Sequence, residues 1–373
     1  MKILYCIAGT YNSGGMERVL ANKANYLVRH GYEVIIATSD QQGRRPFFAL
    51  DERIRCFDLG INYEENNGKS LWNKLLHYPF KQWRHRRRMT TLLAQERPDI
   101  VISMYCNEAS FIPKLKDGSK KILEIHFSKF KRLQYGRKGL WGVIDGVRSR
   151  LDERLVRRYD RFIVLTEEDK GYWGELPNIE VIPNARTFVP TQVASLEKQT
   201  ALAIGRYSHQ KGFDRLIDAW HLVAQAHLDW QLLIVGNGED RQQLEEQIAR
   251  FNLQSSIRLE APKADVADFY LNASLYILSS RYEGLPMVLL EAQAYGLPIV
   301  AYACKCGPRD IITEGVDGFL VEEGNIEELA TRIKQLIAQD TVRKQMGKEA
   351  VKASARFDEE RVMQQWINLF ERL

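Results

Sequence analysis

The sequence predicts a two-domain α/β protein built on doubly wound parallel sheets. Three observations carry this. The chain has 373 residues, and at roughly 150 residues per domain that length favours two domains. Apolar runs of strand length alternate with amphipathic stretches of helical period, the grammar of α/β architecture. The alternation also runs twice, on either side of a segment with no clear period.

The first series of apolar runs covers residues 3–8, 34–38, 100–104, 122–126, 162–165 and 181–183. The second covers 201–205, 231–235, 257–260, 275–278 and 299–303. Most are apolar throughout, as strands covered on both faces are. After the first run, Met16, Leu20, Ala24 and Leu27 recur at helical steps, and Gly31 ends the pattern. Residues 213–226 and 239–251 repeat the pattern, with Leu244, Ile248 and Phe251 on one stripe. Residues 184–200, with Pro190 and Ser195, read as a linker, so the boundary is placed near residue 188. This gives a first domain over 1–188 and a second over 189–357. A last helix over 358–373 has Val362, Trp366, Leu369 and Phe370 as its apolar stripe. Two Rossmann-like domains are expected to face each other across a cleft lined by the carboxyl ends of their strands, where such sheets put ligands.

Composition excludes several classes. Apolar residues make up 45% and charged residues 27%, which fits neither a disordered nor a collagen-like chain. There is no run of 18 apolar residues to cross a bilayer. Residues 1–10 are apolar too briefly for a secretory leader and read as a first strand entering a Gly-rich turn. The five cysteines are an odd number. They are expected to be reduced, in a cytoplasmic protein. Cys304 and Cys306 lack a second pair to complete a zinc site, so no metal is expected there.

Charge is unevenly spread. Residues 69–161 carry 23 basic and 9 acidic residues, +14 in a chain of net +5. The densest spots are 81–88 and 129–138, and Trp72, Tyr78, Phe80, Trp83, Phe127, Phe130, Tyr135 and Trp141 lie among the bases. This suits a solvated helix face or an anionic membrane surface, where bases gain attraction and aromatics settle at the interface. Nucleic acid is the weakest of the three readings, because no recognition signature accompanies the charge.

Four constellations carry chemistry. Residues 9–17, GTYNSGGME, join a strand to a helix. Glycines there allow close approach to the backbone, and a helix start suits an anion; a plain tight turn fits equally. Residues 205–212, GRYSHQKG, hold Arg206 and Lys211 after a strand. They suit a diphosphate, the alternative being a solvated basic turn. Residues 283–291, EGLPMVLLE, form the strongest signal. Pro286 fits a first helical turn, the Met287 and Val288 N–H groups would face an anion, and Glu283 and Glu291 could accept from hydroxyls. His126 ends a strand and suits hydrogen bonding or proton transfer, unless it is a satisfied structural histidine.

Together these segments resemble the family 4 glycosyltransferases, retaining enzymes of the GT-B fold. Residues 205–212, Gly236-Asn237-Gly238, Glu283 through Glu291 (the family's E-x7-E), 307–312 and 318–321 carry the likeness over about 200–345. It continues more loosely through Gly14-Gly15-Met16-Glu17. The resemblance implies that Arg206 and Lys211 hold the donor's diphosphate, and that Gly15, Gly284, Leu285, Met287 and Val288 bring main chain to it. It implies that Glu283 holds sugar hydroxyls, Glu291 the ribose, and that His126 is the cleft histidine. It also implies a last helix that crosses back onto the first domain. Two departures stand out: Ala185 follows Asn184 where many members have glycine, and Leu259-Glu260-Ala261-Pro262 lacks the glycine often found near the base. No D-x-D occurs, which agrees with metal-free stabilisation of the diphosphate, so no cofactor is expected. The implied activity is transfer of a sugar from a UDP-linked donor to a saccharide acceptor hydroxyl. The acceptor is expected to be a lipid-linked saccharide, such as a polyprenyl-diphosphate-linked one, or an oligosaccharide; the first favours the membrane reading of the basic segment and a peripheral place at the inner membrane face. A non-catalytic sugar-nucleotide-binding subunit and a GT-B-type epimerase are the alternatives.

Overall fold

The computed structural model describes residues 1–66, 71–131, 140–263 and 265–373. Arg132, Tyr135, Arg137 and Lys138 of the basic segment lie outside the described residues, as do the side chains of Trp72 and Trp141. The chain divides into two compact units: Met1–Ala185 with Val362–Leu373, and Arg186–Arg361.

The first unit holds strands β1 (Lys2–Ile7), β2 (Glu33–Thr38), β3 (Arg55–Asp58), β4 (Ile100–Ser103), β5 (Lys120–Glu124), β6 (Arg161–Val164) and β7 (Ile179–Val181). They form one parallel sheet in the order β3-β2-β1-β4-β5-β6-β7. One apolar cluster covers one face of the sheet, with Ile3, Tyr5, Leu20, Leu27, Val362, Trp366 and Phe370 among its members. The other face packs Leu4, Leu92, Phe111, Val156 and Trp173. The helix Glu359–Glu371 therefore contributes to the first unit's core through Val362, Met363, Trp366, Leu369 and Phe370.

The second unit holds β8 (Thr200–Ile204), β9 (Gln231–Val235), β10 (Ile257–Glu260), β11 (Leu275–Leu278), β12 (Ile299–Tyr302) and β13 (Gly318–Val321). They form a parallel sheet in the order β10-β9-β8-β11-β12-β13. Trp220, Leu216 and Ile333 pack against it from helices Phe213–Ala224 and Ile326–Ala338. Strand order reverses between β1 and β4 in the first sheet and between β8 and β11 in the second. Each reversal is a topological switch point, where the following loops diverge and leave a crevice.

Two strands have no counterpart among the predicted runs. β3 is short, largely exposed and polar at both ends, Arg55 and Asp58, so it lacks an apolar run. β13 is also an edge strand and begins on Gly318. The run expected over 122–126 ends as a strand at Glu124, leaving His126 in the loop. Pro286 stands one residue before the helix rather than in its first turn.

Candidate functional site

In the second unit, the loops after β8 and β11 meet at the switch point. Gly212 has φ +63°, and a Cβ there would lie 2.2 Å from the Ser279 carbonyl oxygen. Only glycine lets the two loops touch. Ser279 Oγ donates to the Lys211 carbonyl at 2.8 Å. Arg281 donates two hydrogen bonds to Asp214, at 2.8 and 2.5 Å, and one to the His209 carbonyl at 2.7 Å. Burial alone would raise the Asp214 carboxyl; the Arg281 pair outweighs it and holds the carboxyl low. Gln210 closes the seam by donating to the Tyr282 carbonyl at 3.0 Å. The third loop, after β9, is brought against the first at Gly236, where a Cβ would lie 1.9 Å from the Gly205 carbonyl oxygen.

This frame gathers the predicted donor-site residues. Lys211 Nζ lies 2.6 Å from Glu283 Oε1, and Ser280 Oγ donates to the same oxygen at 2.6 Å. Lys211 and Glu283, assigned by resemblance to different parts of a donor, thus touch each other. Arg206 is exposed, and no hydrogen bond or ion pair engages its guanidinium among the described residues. The helix Met287–Ala294 begins just beyond Gly284 and Leu285. Its first turn leaves the Met287 and Val288 N–H groups without intrahelical acceptors, and the positive end of the helix dipole adds to them. Leu289, next in line, already bonds to the Pro286 carbonyl at 2.9 Å.

Glu291, in the second turn, is buried. Its Oε1 accepts from Thr187 Oγ1 at 3.0 Å and its Oε2 from the Tyr270 hydroxyl at 2.8 Å. Tyr270 in turn stacks on Tyr295, with centroids 5.0 Å apart and planes 7° from parallel. Neither Thr187 nor Tyr270 lies in a motif, so nothing in the sequence pointed to them.

In the first unit, Gly15 opens the helix Gly15–Arg29, behind Gly14 in extended conformation. A Cβ at Gly15 would meet no atom within 4 Å, so packing within this unit does not demand glycine there. His126 lies two residues past β5, half-buried, with Nε2 3.1 Å from Glu124 Oε1. Glu124 is also gripped by Lys23, whose Nζ lies 2.7 and 2.6 Å from the two carboxylate oxygens. The Trp366 ring caps that ammonium, 3.7 Å from its centroid. Burial disfavours the Glu124 anion, but Lys23 and then His126 outweigh it and hold the carboxyl down to about 2. Burial pulls the Lys23 ammonium down, against the pull of Glu124. Lys23 and Glu124 are 101 residues apart, and only the fold brings them together.

The basic helix Leu71–Glu96 sorts its charges by face. Arg84 donates to the Gly60 and Ile61 carbonyls at 2.8 and 2.9 Å, and Arg88 donates to the Leu59 carbonyl. Both hold the loop after β3. Arg86 and Arg87 are exposed, as is Arg88, and share the helix with Phe80 and Trp83, which are 59% and 55% exposed. Phe80 and Trp83 stack, and Arg87 lies over Trp83 at 5.7 Å. Among the described residues, no helix is long and apolar enough to cross a membrane.

Comparison with known proteins agrees with this geometry. The family model for "Glycosyltransferase Family 4" matches residues 13–186, and that for "Glycosyl transferases group 1" matches 186–353. An uncharacterized glycosyltransferase of Haemophilus influenzae is 31% identical over 370 residues, covering 98% of each chain. An amylovoran biosynthesis glycosyltransferase of Erwinia amylovora is 29% identical, covering 99% of each. An N-acetyl-D-galactosaminyltransferase of Campylobacter jejuni, named for a PP-undecaprenol-linked acceptor, is 27% identical and covers 99% of this chain and 98% of its own. Among solved structures, a Staphylococcus aureus TarM variant in complex with UDP, fondaparinux and alpha-GlcNAc-glycerol superposes with a TM-score of 0.77. It is 17% identical, with 99% of each chain covered. Such neighbours share the GT-B fold, two parallel-sheet α/β domains. With end-to-end similarity, both halves matched and the E-x7-E pair set at the second sheet's switch point, this chain belongs to glycosyltransferase family 4.

Proposed function

We propose that the chain transfers a sugar, with retention at the anomeric carbon, from a UDP-linked donor to a hydroxyl of a lipid-linked saccharide in polysaccharide assembly. The observation that carries the donor assignment is the second unit's switch point. There a free-standing Arg206, the Lys211–Glu283 pair and the half-buried start of helix Met287–Ala294 sit on loops locked to one another. In this reading Arg206, Lys211 and the N–H groups of Met287 and Val288 face the diphosphate, with the main chain of Gly284, Leu285 and Gly15. Glu283 takes a sugar hydroxyl and Glu291 the ribose. His126 acts at the sugar.

As the bond from the anomeric carbon to the phosphate oxygen breaks, negative charge grows on the diphosphate. Donors fixed there stabilise the transition state more than the ground state. The acceptor oxygen bonds to the same face of the anomeric carbon, and its proton passes to the departing phosphate oxygen. No metal or cofactor is required in this scheme. UDP in the TarM complex supports the nucleotide, and the undecaprenol-linked acceptor of the Campylobacter relative supports the acceptor class. The exposed Phe80, Trp83, Arg86 and Arg87 surface suits anionic lipid, and the protein then works as a peripheral enzyme on the cytoplasmic face of the cell membrane.

The test is a panel of UDP-glucose, UDP-galactose, UDP-N-acetylglucosamine, UDP-N-acetylgalactosamine and their GDP counterparts. Each is scored for thermal stabilisation and then for turnover with polyprenyl-diphosphate-linked sugars. A UDP-sugar is expected to give both signals, and an α-linked product from an α-linked donor. Preference for GDP-sugars or inversion of the linkage refutes the corresponding half of the proposal.

A further inference from the structure

A charged pair in a protein core is expensive, and one that serves only the fold needs no third member. The Lys23–Glu124 pair has one. Glu124 Oε1 accepts from Lys23 at 2.7 Å and lies 3.1 Å from His126 Nε2. The imidazole contact is at ion-pair distance rather than an aligned hydrogen bond, and both ring nitrogens are buried with no hydrogen-bond partner among the described residues. Around the pair stand Lys23 from the helix Gly15–Arg29, Tyr5 from β1, His126 from the loop after β5 and the Trp366 ring. The Tyr5 hydroxyl is likewise buried without a partner.

A carboxylate oxygen only accepts. Set against Nε2, it favours the imidazole tautomer with its proton on Nε2, so Nδ1 carries the lone pair. An imidazole held this way accepts a hydrogen bond, and saccharide hydroxyls donate them. Apo contacts of this kind tighten when substrate arrives. We propose that Glu124, its charge balanced by Lys23, is a positioning residue that fixes His126 as the Nε2–H tautomer and presents Nδ1 to a saccharide hydroxyl. This rests on the reading of the chain as a sugar-transferring enzyme with His126 at the substrate.

The full chain is labelled with 15N-histidine and its imidazole signals are recorded in alkaline buffer; His126 is assigned from the signal lost in His126→Ala. Wild type is expected to show the Nε2–H pattern. Glu124→Gln is expected to abolish it, because an amide nitrogen can donate to Nε2. With the donor selected by the UDP-sugar panel, Glu124→Gln should lower kcat roughly 10- to 100-fold, the scale of one lost hydrogen bond to a charged group, with KM nearly unchanged. Lys23→Met/Glu124→Gln removes both charges and is expected to recover thermal stability without recovering kcat. Adding Glu124→Gln to His126→Ala should slow the enzyme no further. An unchanged tautomer in Glu124→Gln, or wild-type kcat in the double-charge variant, would make the pair purely structural and overturn the proposal. Wild-type kcat in His126→Ala refutes the contact of His126 with substrate, and the tautomer measurement still decides the Glu124 contact.

Discussion

Replacing Glu108 with Gln should change how the first unit's stability depends on pH. Glu108 follows β4 and is buried at 1% exposure. Its Oε1 accepts from Ser103 Oγ at 2.7 Å and from the Cys106 N–H at 3.3 Å. Burial pushes its carboxyl from the ordinary 4.5 up to about 7, against the pull of those hydrogen bonds. A raised folded value means the folded state keeps the proton while the unfolded chain loses it. Stability is therefore fully present below about 4.5 and falls as pH rises through about 7. The rise from 4.5 to about 7, at about 1.4 kcal/mol per tenfold change in proton affinity, is worth about 3 kcal/mol. For a unit of roughly 200 residues, each kcal/mol moves Tm by about 2–4 °C, so the change is about 6–12 °C. The assay is scanning calorimetry of wild type and Glu108→Gln from pH 4.5 to 8, the first unit's transition being followed in each. The difference between the two isolates Glu108, because every other titrating group is present in both. The side-chain amide of the Glu108→Gln variant would still accept from Ser103, so that variant should fold. A wild-type-minus-variant Tm that stays flat across that window refutes the reasoning. Glu124 acts in the opposite sense and below this window: its carboxyl is held near 2, so its contribution is lost as pH falls below about 4.5 toward 2.

Arg206→Ala should weaken UDP binding by about 10- to 100-fold, since charge-assisted hydrogen bonds contribute roughly 1.5–3 kcal/mol; calorimetry within twofold of wild type removes Arg206 from the site. Gly236→Ala forces a Cβ to 1.9 Å from the Gly205 carbonyl, so urea unfolding should show the second unit less stable by roughly 1–3 kcal/mol. An unshifted midpoint contradicts the packing. Vesicles with anionic lipid should sediment the protein at low salt and release it at high salt. Gln at Arg86 and Arg87 should weaken this by about 1 kcal/mol per residue. Gln at Arg84 and Arg88 should instead loosen the loop after β3 and lower the melting temperature. Equal vesicle binding by both pairs of variants would show that the outward face is not the contact.

Most of the fold is legible in the sequence because buried parallel strands announce themselves as apolar runs. β3 escapes because it is largely exposed and needs no such run; β13 escapes although Phe319 and Val321 are buried, because only three apolar residues follow Gly318. Arg55-Cys56-Phe57-Asp58 looks like loop until β2 pairs with it. The candidate donor residues were legible as motifs, since each loop carries its chemistry in consecutive residues. Their partners were not. Thr187 reaches Glu291 from 104 residues away, and Lys23 reaches Glu124 from 101. Contacts at that separation exist only once the sheet order is known. The basic run misled in a different way: four arginines among residues 84–88 look equivalent, yet the 100° step of a helix brings Arg84 and Arg88, one turn apart, to the carbonyls of residues 59–61 and leaves Arg86 and Arg87 exposed on other faces.

The helix that supplies Trp366 gives the first unit an awkward birth. A ribosome finishing β7 at Val181 must add about 180 more residues before Val362, Trp366 and Phe370 exist, roughly 10–40 s at typical synthesis rates. Until then one apolar face of the first sheet lacks part of its cover, and the Lys23 ammonium lacks its aromatic cap. The second unit, Arg186–Arg361, is made in that interval and can fold as an uninterrupted stretch of chain. The half synthesised first is thus completed last, and its exposed face, rather than the donor half, is where a nascent chain of this protein is most open to chaperones or to misassembly with a neighbour.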